Sequence, residues 1–266
     1  MLDIEFAQLS DCGRVRDHNE DYLGHVAPDS PAHARTHGWL FAVADGVGGQ
    51  ERGEVASKAA IESLIEGFRN APSGESHTAL LTRLIKNANS QVFETGRSAA
   101  PGGVAMATTL VACALRFDRV AVAHVGDSRC YLVRRGKAKC LTRDHTVVNE
   151  QIRLGLLSPR EGAGADTKHL LTRSVGTEMF VGVETGEQQV FPGDSLVLCS
   201  DGLHGPVDEL SLESIVTRQR NPQLAAQELI ALANERDGGD NVSVQIVHIR
   251  AVERIGMYRG RPYKLP

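Results

Sequence analysis

Apolar positions along this 266-residue chain come in short runs separated by Gly, Asp and Asn. "IEFAQLSD" (4–11) alternates polar and apolar residues and predicts a half-buried strand, and "WLFAVAD" (39–45) is a short, mostly apolar run that predicts a buried one. Two helical periodicities follow. In 51–69, Val55, Ala59, Leu64 and Phe68 lie close to one face; in 78–95, Leu81, Leu84, Ile85, Ala88 and Val92 do the same. The polar stretch "NAPSGES" (70–76) connects them. A meander is predicted next, from "TTLVACALRF" (108–117), "RVAVAHVGD" (119–127) and "CYLVRRGKAKCLT" (130–142), with hairpins at "RFDR" and "RRGKA". Residues 144–176 hold a short helical stretch and then the polar, glycine-rich "SPREGAGADTK" (158–168). The last strands are "DSLVLCSD" (194–201) and "NVSVQIVHI" (241–249), separated by a helix near 222–236 that Asn221-Pro222 opens.

Strands in antiparallel runs and helices in pairs do not make the βαβα alternation of a parallel sheet. They predict an α+β fold: a central β-sandwich of two antiparallel sheets, flanked on its outer faces by antiparallel helix pairs. A single domain over 1–250 is expected, with 251–266 a loosely held tail.

Composition narrows the function. Hydrophobic residues make up 41% and charged residues 23%, and the formal net charge is -4, which argues against a nucleic-acid or membrane-surface partner. The start, "MLDIEFAQLSD", lacks a basic region followed by a long apolar stretch, so no signal peptide is apparent. The longest apolar-looking run, Val104 to Leu115, falls short of the about 18 residues a membrane span needs. The five cysteines are odd in number and show no C-x-x-C spacing, as expected of free thiols in a cytoplasmic protein.

The candidate chemistry lies at the strand ends. Asp45, Asp127 and Asp201 each close an apolar strand, and Asp240 stands just before one. Taken singly, each is compatible with turn or cap chemistry. Brought to one edge of a sandwich, four carboxylates would repel one another unless cations neutralise them, and all-oxygen sites of this kind suit Mg²⁺ or Mn²⁺. "GRVRDHNED" (13–21) adds Arg16, whose planar fork matches phosphate oxygens, with Glu20 and Asp21. Competing motifs fit poorly. Cys113 and Arg119 have the spacing of a cysteine-phosphatase loop, but Cys113 lies inside an alternating strand and no glycine intervenes. A dinucleotide fingerprint from Gly46 would need glycine where Glu51 stands, and an EF-hand there lacks its acids. His33 and His37, between Pro31 and Gly38, are expected as solvated loop residues.

Five motifs in order, G-x-x-R-x-x-N-E-D (Gly13–Asp21), A-D-G-x-G-G (Ala44–Gly49), G-D-S-R (Gly126–Arg129), S-D-G-L (Ser200–Leu203) and G-D-N-V-S (Gly239–Ser243), make the chain resemble the compact bacterial form of the metal-dependent PPM (type 2C) protein Ser/Thr phosphatases. The resemblance spans roughly 10–249. It implies an α-β-β-α sandwich with a two-metal centre of Mn²⁺ or Mg²⁺ at one end. Asp45 would bridge both ions, the Gly46 carbonyl would bind the second, and Asp201 and Asp240 would hold the first. Glu20 and Asp21 would act around the centre through water, with Asn241 in support, and Asp127 with Asp201 would form a weaker third site. Arg16 would clamp the substrate phosphate. On this reading Gly46 is bare because its carbonyl is a ligand. A water shared between the ions would attack phosphorus in line with the leaving oxygen. The implied function is hydrolysis of phosphoserine and phosphothreonine in proteins, reversing a Ser/Thr kinase, by a monomer whose partners are that kinase and its targets. The other reading is a catalytically silent sensing or scaffolding module, which should have lost at least one of Asp45, Asp201 and Asp240. Residues 144–176 take the place of the family's variable flap. Val47 departs from the eukaryotic enzymes, where a histidine at that position is the proposed general acid.

Overall fold

The computed structural model describes residues 2–47, 52–99, 103–165, 167, 169–258 and 261–264. Two five-stranded antiparallel sheets form the expected sandwich. One has the order β1 (Asp3–Asp11), β10 (Val242–Ala251), β9 (Ser195–Cys199), β6 (Arg129–Arg134), β7 (Lys137–Cys140). The other runs β2 (Asp21–Val26), β3 (Trp39–Asp45), β4 (Leu110–Arg116), β5 (Arg119–Val125), β8 (Glu184–Gln189).

The period-2 pattern of the strands sorts the core into three layers. On β4, Val111, Cys113 and Leu115 turn inward and meet Leu132, Leu196, Leu198 and Val247 of the facing sheet. Leu110, Ala112 and Ala114, the alternate set, turn outward onto helices α2 (Gly53–Arg69) and α3 (His77–Ser98). On the other outer face Tyr131, Val197 and Val244 pack against α7 (Glu209–Arg218) and α8 (Pro222–Arg236). The Asn221 side chain caps α8 by accepting from the backbone N–H of Gln223 and Leu224, ahead of a proline that has no N–H to satisfy.

Several expectations are corrected. The α2 face is rotated by about one position: Ala56, Ala60 and Ile61 are buried with Leu64 and Phe68, whereas Val55 and Ala59 are only partly buried. Residues 31–36 form a one-turn-and-a-half helix α1 rather than a loop, because Ser30 caps it and Pro31 starts it. His33 and His37 therefore meet edge to face at 4.7 Å, and His37 Nε2 bonds the Ala71 carbonyl at 2.8 Å. Within 144–176 there are two short helices, α4 (Val147–Arg153) and α5 (Pro159–Ala163), where the pattern suggested one. Ser158 and Glu161 close a reciprocal capping box around α5. A four-residue helix α6 (Asp201–His204) follows β9 directly. In the tail, β11 (Ile255–Tyr258) and β12 (Arg261–Lys264) pair as a hairpin in a two-stranded sheet of their own. Among the described residues no helix is long and apolar enough to cross a membrane.

Candidate metal centre

Asp45 ends β3 and, in the antiparallel register, sits directly opposite Asp21 at the start of β2. Like charges facing each other across a ladder destabilise a sheet, so this pairing calls for a compensating charge. Asp45 is fixed through its backbone. Its N–H donates to Thr109 Oγ1 (3.0 Å), and its carbonyl accepts from Thr109 N–H and Thr108 Oγ1, both 2.8 Å. Thr109 Oγ1 in turn meets Ser128 Oγ at 2.7 Å, which ties β4 to the turn after Asp127.

The other acids arrive from the facing sheet and its turns. Ser200 Oγ donates to Asp21 Oδ2 (2.8 Å), so the residue before Asp201 holds an acid of the opposite sheet. Asp21 Oδ1 is buried with no hydrogen-bond partner among the described residues. Burial first, then the charges of Asp21, Asp201, Asp127 and Asp240, push the Asp45 carboxyl well above the usual carboxylate range. Asp21 is pushed up to about 7, by burial and by Asp201 and Asp240 against hydrogen bonds from Ser243 and Ser200. Asp127 is likewise pushed up to about 7, by burial and then by Asp201 and Asp144. Asp201 goes the other way: burial would raise it, but contacts with His169 and His204 and a hydrogen bond shared with Asp45 hold it low. Five carboxylates thus act on one another at one edge of the sandwich, and every donor is a hard oxygen. This set fits Mn²⁺ or Mg²⁺ and gives soft ions no thiolate.

Arg16 grips the edge of this cluster. Its Nε lies 3.0 Å from Asp240 Oδ1 and its Nη2 3.0 Å from Oδ2, so the fork expected to meet phosphate is engaged with Asp240. Asn241 positions the loop that carries Arg16 and Glu20. Its Oδ1 accepts from Glu20 N–H (2.8 Å), and its Nδ2 donates to the Cys12 and His18 carbonyls at 2.9 and 3.0 Å. Burial, then Glu54, raises the Glu20 carboxyl.

The bare backbone at Gly46 has a packing cause. A Cβ there would lie 2.5 Å from the Gly53 carbonyl carbon and oxygen and 2.8 Å from the Glu20 carbonyl oxygen. Glycine lets the end of β3, the start of α2 and the Glu20 loop touch backbone to backbone. Gly202 serves the same purpose after Asp201, where a Cβ would lie 2.0 Å from the Asn241 carbonyl oxygen. The next glycines of the run, Gly48 and Gly49, lie outside the described residues. Val47 donates its N–H to Ala107 (3.0 Å) and offers no titratable group.

Several residues of the centre carried no readable signal in the sequence. His169, from 144–176, brings Nδ1 to 3.6 Å from Asp201 Oδ2, and His204 Nε2 bonds the Asp127 carbonyl at 3.0 Å. Arg129 of the G-D-S-R motif forks onto Asp144 at 2.8 and 2.6 Å, securing the strand β6 to the beginning of the flap segment. A cavity of about 450 Å³ opens between Asp127, His169 and His204 on one side and Ile152 of α4 and Gly162 of α5 on the other. Nearby, His124, His145 and Glu184 could present three ligand atoms within 4.8 Å of one another. The Gly126 N–H donates to His145 Nδ1 (3.1 Å), however, which leaves the His145 proton on Nε2, facing Glu184 at 3.3 Å. That trio is a hydrogen-bonded strut, since a metal on Nε2 would set two N–H groups against each other.

Fold and acid cluster together have the form of a type 2C-like sandwich with carboxylates gathered at one edge. The sequence profile of the protein phosphatase 2C family matches residues 14–236. The serine/threonine phosphatase Stp of Listeria welshimeri is 34% identical over 257 residues, covering 95% of this chain and 96% of that one. The crystal structure of the serine/threonine phosphatase PstP/Ppp of Mycobacterium tuberculosis superposes with a TM-score of 0.83 at 30% identity, over 94% of this chain and all of that one. The PstP catalytic domain in complex with two manganese ions gives 0.80 at 31% identity, with 94% and 100% coverage. The chain belongs to the protein phosphatase 2C family.

Proposed function

We infer that the chain hydrolyses phosphoserine and phosphothreonine monoesters on proteins with the help of divalent metal ions, opposing a Ser/Thr kinase. The observation that carries this reading is the cross-strand pair Asp21 and Asp45 with Asp127, Asp201 and Asp240 gathered around it. No fold needs such a cluster for its own stability. Asp45, the Gly46 carbonyl, Asp201 and Asp240 would hold the core divalent ions, Mn²⁺ or Mg²⁺. Asp127 with Asp201 would offer a weaker additional site, and Asp21 and Glu20 would support the ions from around the centre. When bound, the ions supply positive charge to the phosphate and acidify water so that a nucleophile exists near neutral pH.

The chain's own residues fix the geometry. Thr108 and Thr109 immobilise the Asp45 backbone, Ser200 orients Asp21, and Asn241 holds the Glu20 loop. Arg16 lies at the rim, where one guanidinium edge can hold Asp240 while the other meets phosphate oxygens. Val47 cannot protonate the leaving alkoxide, so that proton comes from elsewhere than in enzymes with a histidine there. The silent-module reading has nothing to favour it, since Asp45, Asp201 and Asp240 are all retained. The chain is expected to act as a monomer. The direct test is phosphate release from a phosphothreonine peptide with Mn²⁺, then after exhaustive chelation and desalting. Activity that survives chelation overturns the proposal.

A further inference from the structure

Asp127 lies in the short turn between β5 and β6, and its two sides are held by different partners. On the β6 side Ser128 Oγ meets Thr109 Oγ1, and the Asp127 carbonyl accepts from His204 Nε2. On the β5 side both backbone groups of Gly126 bond a single residue, His145. The Gly126 N–H donates to His145 Nδ1 at 3.1 Å, and the Gly126 carbonyl accepts from the His145 N–H at 3.0 Å. Gly126 has a φ of +102°, and a Cβ there would lie 2.7 Å from Thr109 Cβ and Cγ2. The turn is therefore pressed between Thr109 and the His145 ring, in a backbone conformation that suits glycine.

The His145 ring is itself fixed. It is completely buried, stacks on His124 at 4.7 Å and 11°, and points Nε2 at Glu184 Oε2, 3.3 Å away. Arg143 Nη2 holds the same carboxylate oxygen at 2.9 Å. Because Nδ1 accepts, the ring is neutral and its proton is on Nε2, the nitrogen that faces Glu184. The carboxylate thus sets the tautomer, and the tautomer gives the Gly126 N–H its acceptor. Behind metal-bound histidines a carboxylate commonly plays this part. Here the far end of the chain of bonds is the peptide that precedes an acid of the cluster.

We propose that His145 is a positioning residue for Asp127, and that Glu184 holds the His145 tautomer this requires. The proposal rests on the metal-dependent reading above, in which Asp127 with Asp201 offers an ion site. Without an acceptor at Nδ1 the Gly126 N–H is buried and unpaired, and its peptide turns to find another partner. Asp127 is the next residue, so its carboxylate is displaced with the peptide. Ion sites need their ligands placed within about 0.5 Å, and losing a partner behind a ligand lowers metal affinity by about 10–100-fold. Asp45 and Asp21 are held by Thr109 and Ser200 instead, so the effect should be confined to the site that uses Asp127.

The test is titration of the chelated and desalted protein with Mn²⁺, with free Mn²⁺ read from its electron paramagnetic resonance signal. Asp127→Asn identifies the class of sites that depends on Asp127. His145→Ala should weaken that class by about tenfold or more and leave the others within about twofold. His145→Asn, whose side-chain oxygen can stand where Nδ1 stood, should restore most of the affinity, a recovery that lost packing would not show. Should His145→Ala fail to fold, Glu184 gives the same reading. Glu184→Ala should weaken the class severalfold, whereas Glu184→Gln keeps an acceptor for the Nε2 proton and should not. Finding no class that depends on Asp127, an unchanged class in His145→Ala, or equal weakening of every class overturns the assignment. A class lost in His145→Ala but kept in Asp127→Asn would place an ion on His124, His145 and Glu184 themselves, and overturns it too. A wild type that binds no Mn²⁺ would overturn the metal-dependent reading, and the positioning role with it.

Discussion

Strand β9 carries an aspartate at each end, and the two have opposite surroundings. Asp194, just before the strand, is buried and fully paired. Arg134 forks onto it at 2.9 and 2.7 Å, the Phe191 N–H donates to it at 2.8 Å, and the guanidinium lies 4.6 Å from the Phe191 ring centre. Asp201, just past the other end, meets Asp45 and Asp127. One end of the sandwich neutralises its acid with the chain's own cation, while the other accumulates acids beyond what Arg16 and the nearby histidines can balance. A buried acid that is paired serves the fold. Buried acids that face each other point to a charge from outside the chain.

That contrast can be broken by swapping the two roles. The largest effect is expected from Asp45→Asn: turnover of any phosphomonoester falls to background, yet the chelated protein melts higher than wild type, because one repelling carboxylate is gone. Asp194→Asn should do the reverse, keeping metal-dependent turnover while lowering stability by roughly 3 kcal/mol, as expected for breaking a buried pair whose arginine is part-exposed. Calorimetry alongside an activity assay reads both. If the two variants behave alike, the distinction between the ends is wrong.

Arg16→Ala comes next, with a loss of about 1.5–3 kcal/mol in kcat/KM carried chiefly by KM, as for a charge-assisted contact. Unchanged KM and kcat/KM would remove Arg16 from the phosphate site.

The pH dependence sharpens the comparison further. Asp21 and Asp127 have folded values of about 7, above the about 3.9 of an unfolded chain. Their stabilising contribution is therefore complete below pH about 4 and is lost as pH rises through about 7. His77 and His145, lowered to about 4 chiefly by burial, have the opposite sign. Their contribution is complete above about 6.5 and is lost as pH falls toward 4. Between pH 6.5 and 8 only the acid cluster should matter, so the chelated protein should lose melting temperature there. A flat or rising profile over that window in chelator would contradict the cluster's repulsion.

The smallest effect concerns the flap. Ser158→Ala removes the α5 capping box and should cost about 1 kcal/mol locally, speeding amide exchange in 158–163 with no change in global melting.

Much of this was legible in the chain. The antiparallel runs, the helix pairs and Asp45, Asp127, Asp201 and Asp240 at strand ends follow from period and position, which the backbone obeys locally. The β2 and β8 strands were missed because "DYLGHV" and "ETGEQQ" are short and lack a clear alternation, and β8 is an exposed edge held by its partner β5. Short α5 was hidden in a glycine-rich stretch, where a capping box outweighed poor helix propensity. The side chains that shape the centre from outside the motifs, Thr109, His169 and His204, left no trace, since contacts between residues so far apart in sequence depend on how the sheets stack. Gly46 shows the limit most clearly: the close approach of Gly53 and Glu20, which a side chain there would block, leaves no mark in the local pattern.

The central claim is that the acid cluster is a divalent-ion site, and thermal unfolding at pH 8 tests it most directly. Wild type is compared in chelator and in Mn²⁺ at about 100 times its dissociation constant, beside Asp45→Asn. Binding to the folded state alone should contribute about 2.7 kcal/mol, a rise of about 5–10 °C for a domain of this size. Asp45→Asn should lose most of that rise. No rise in the wild type, or an equal rise in the variant, would contradict the account.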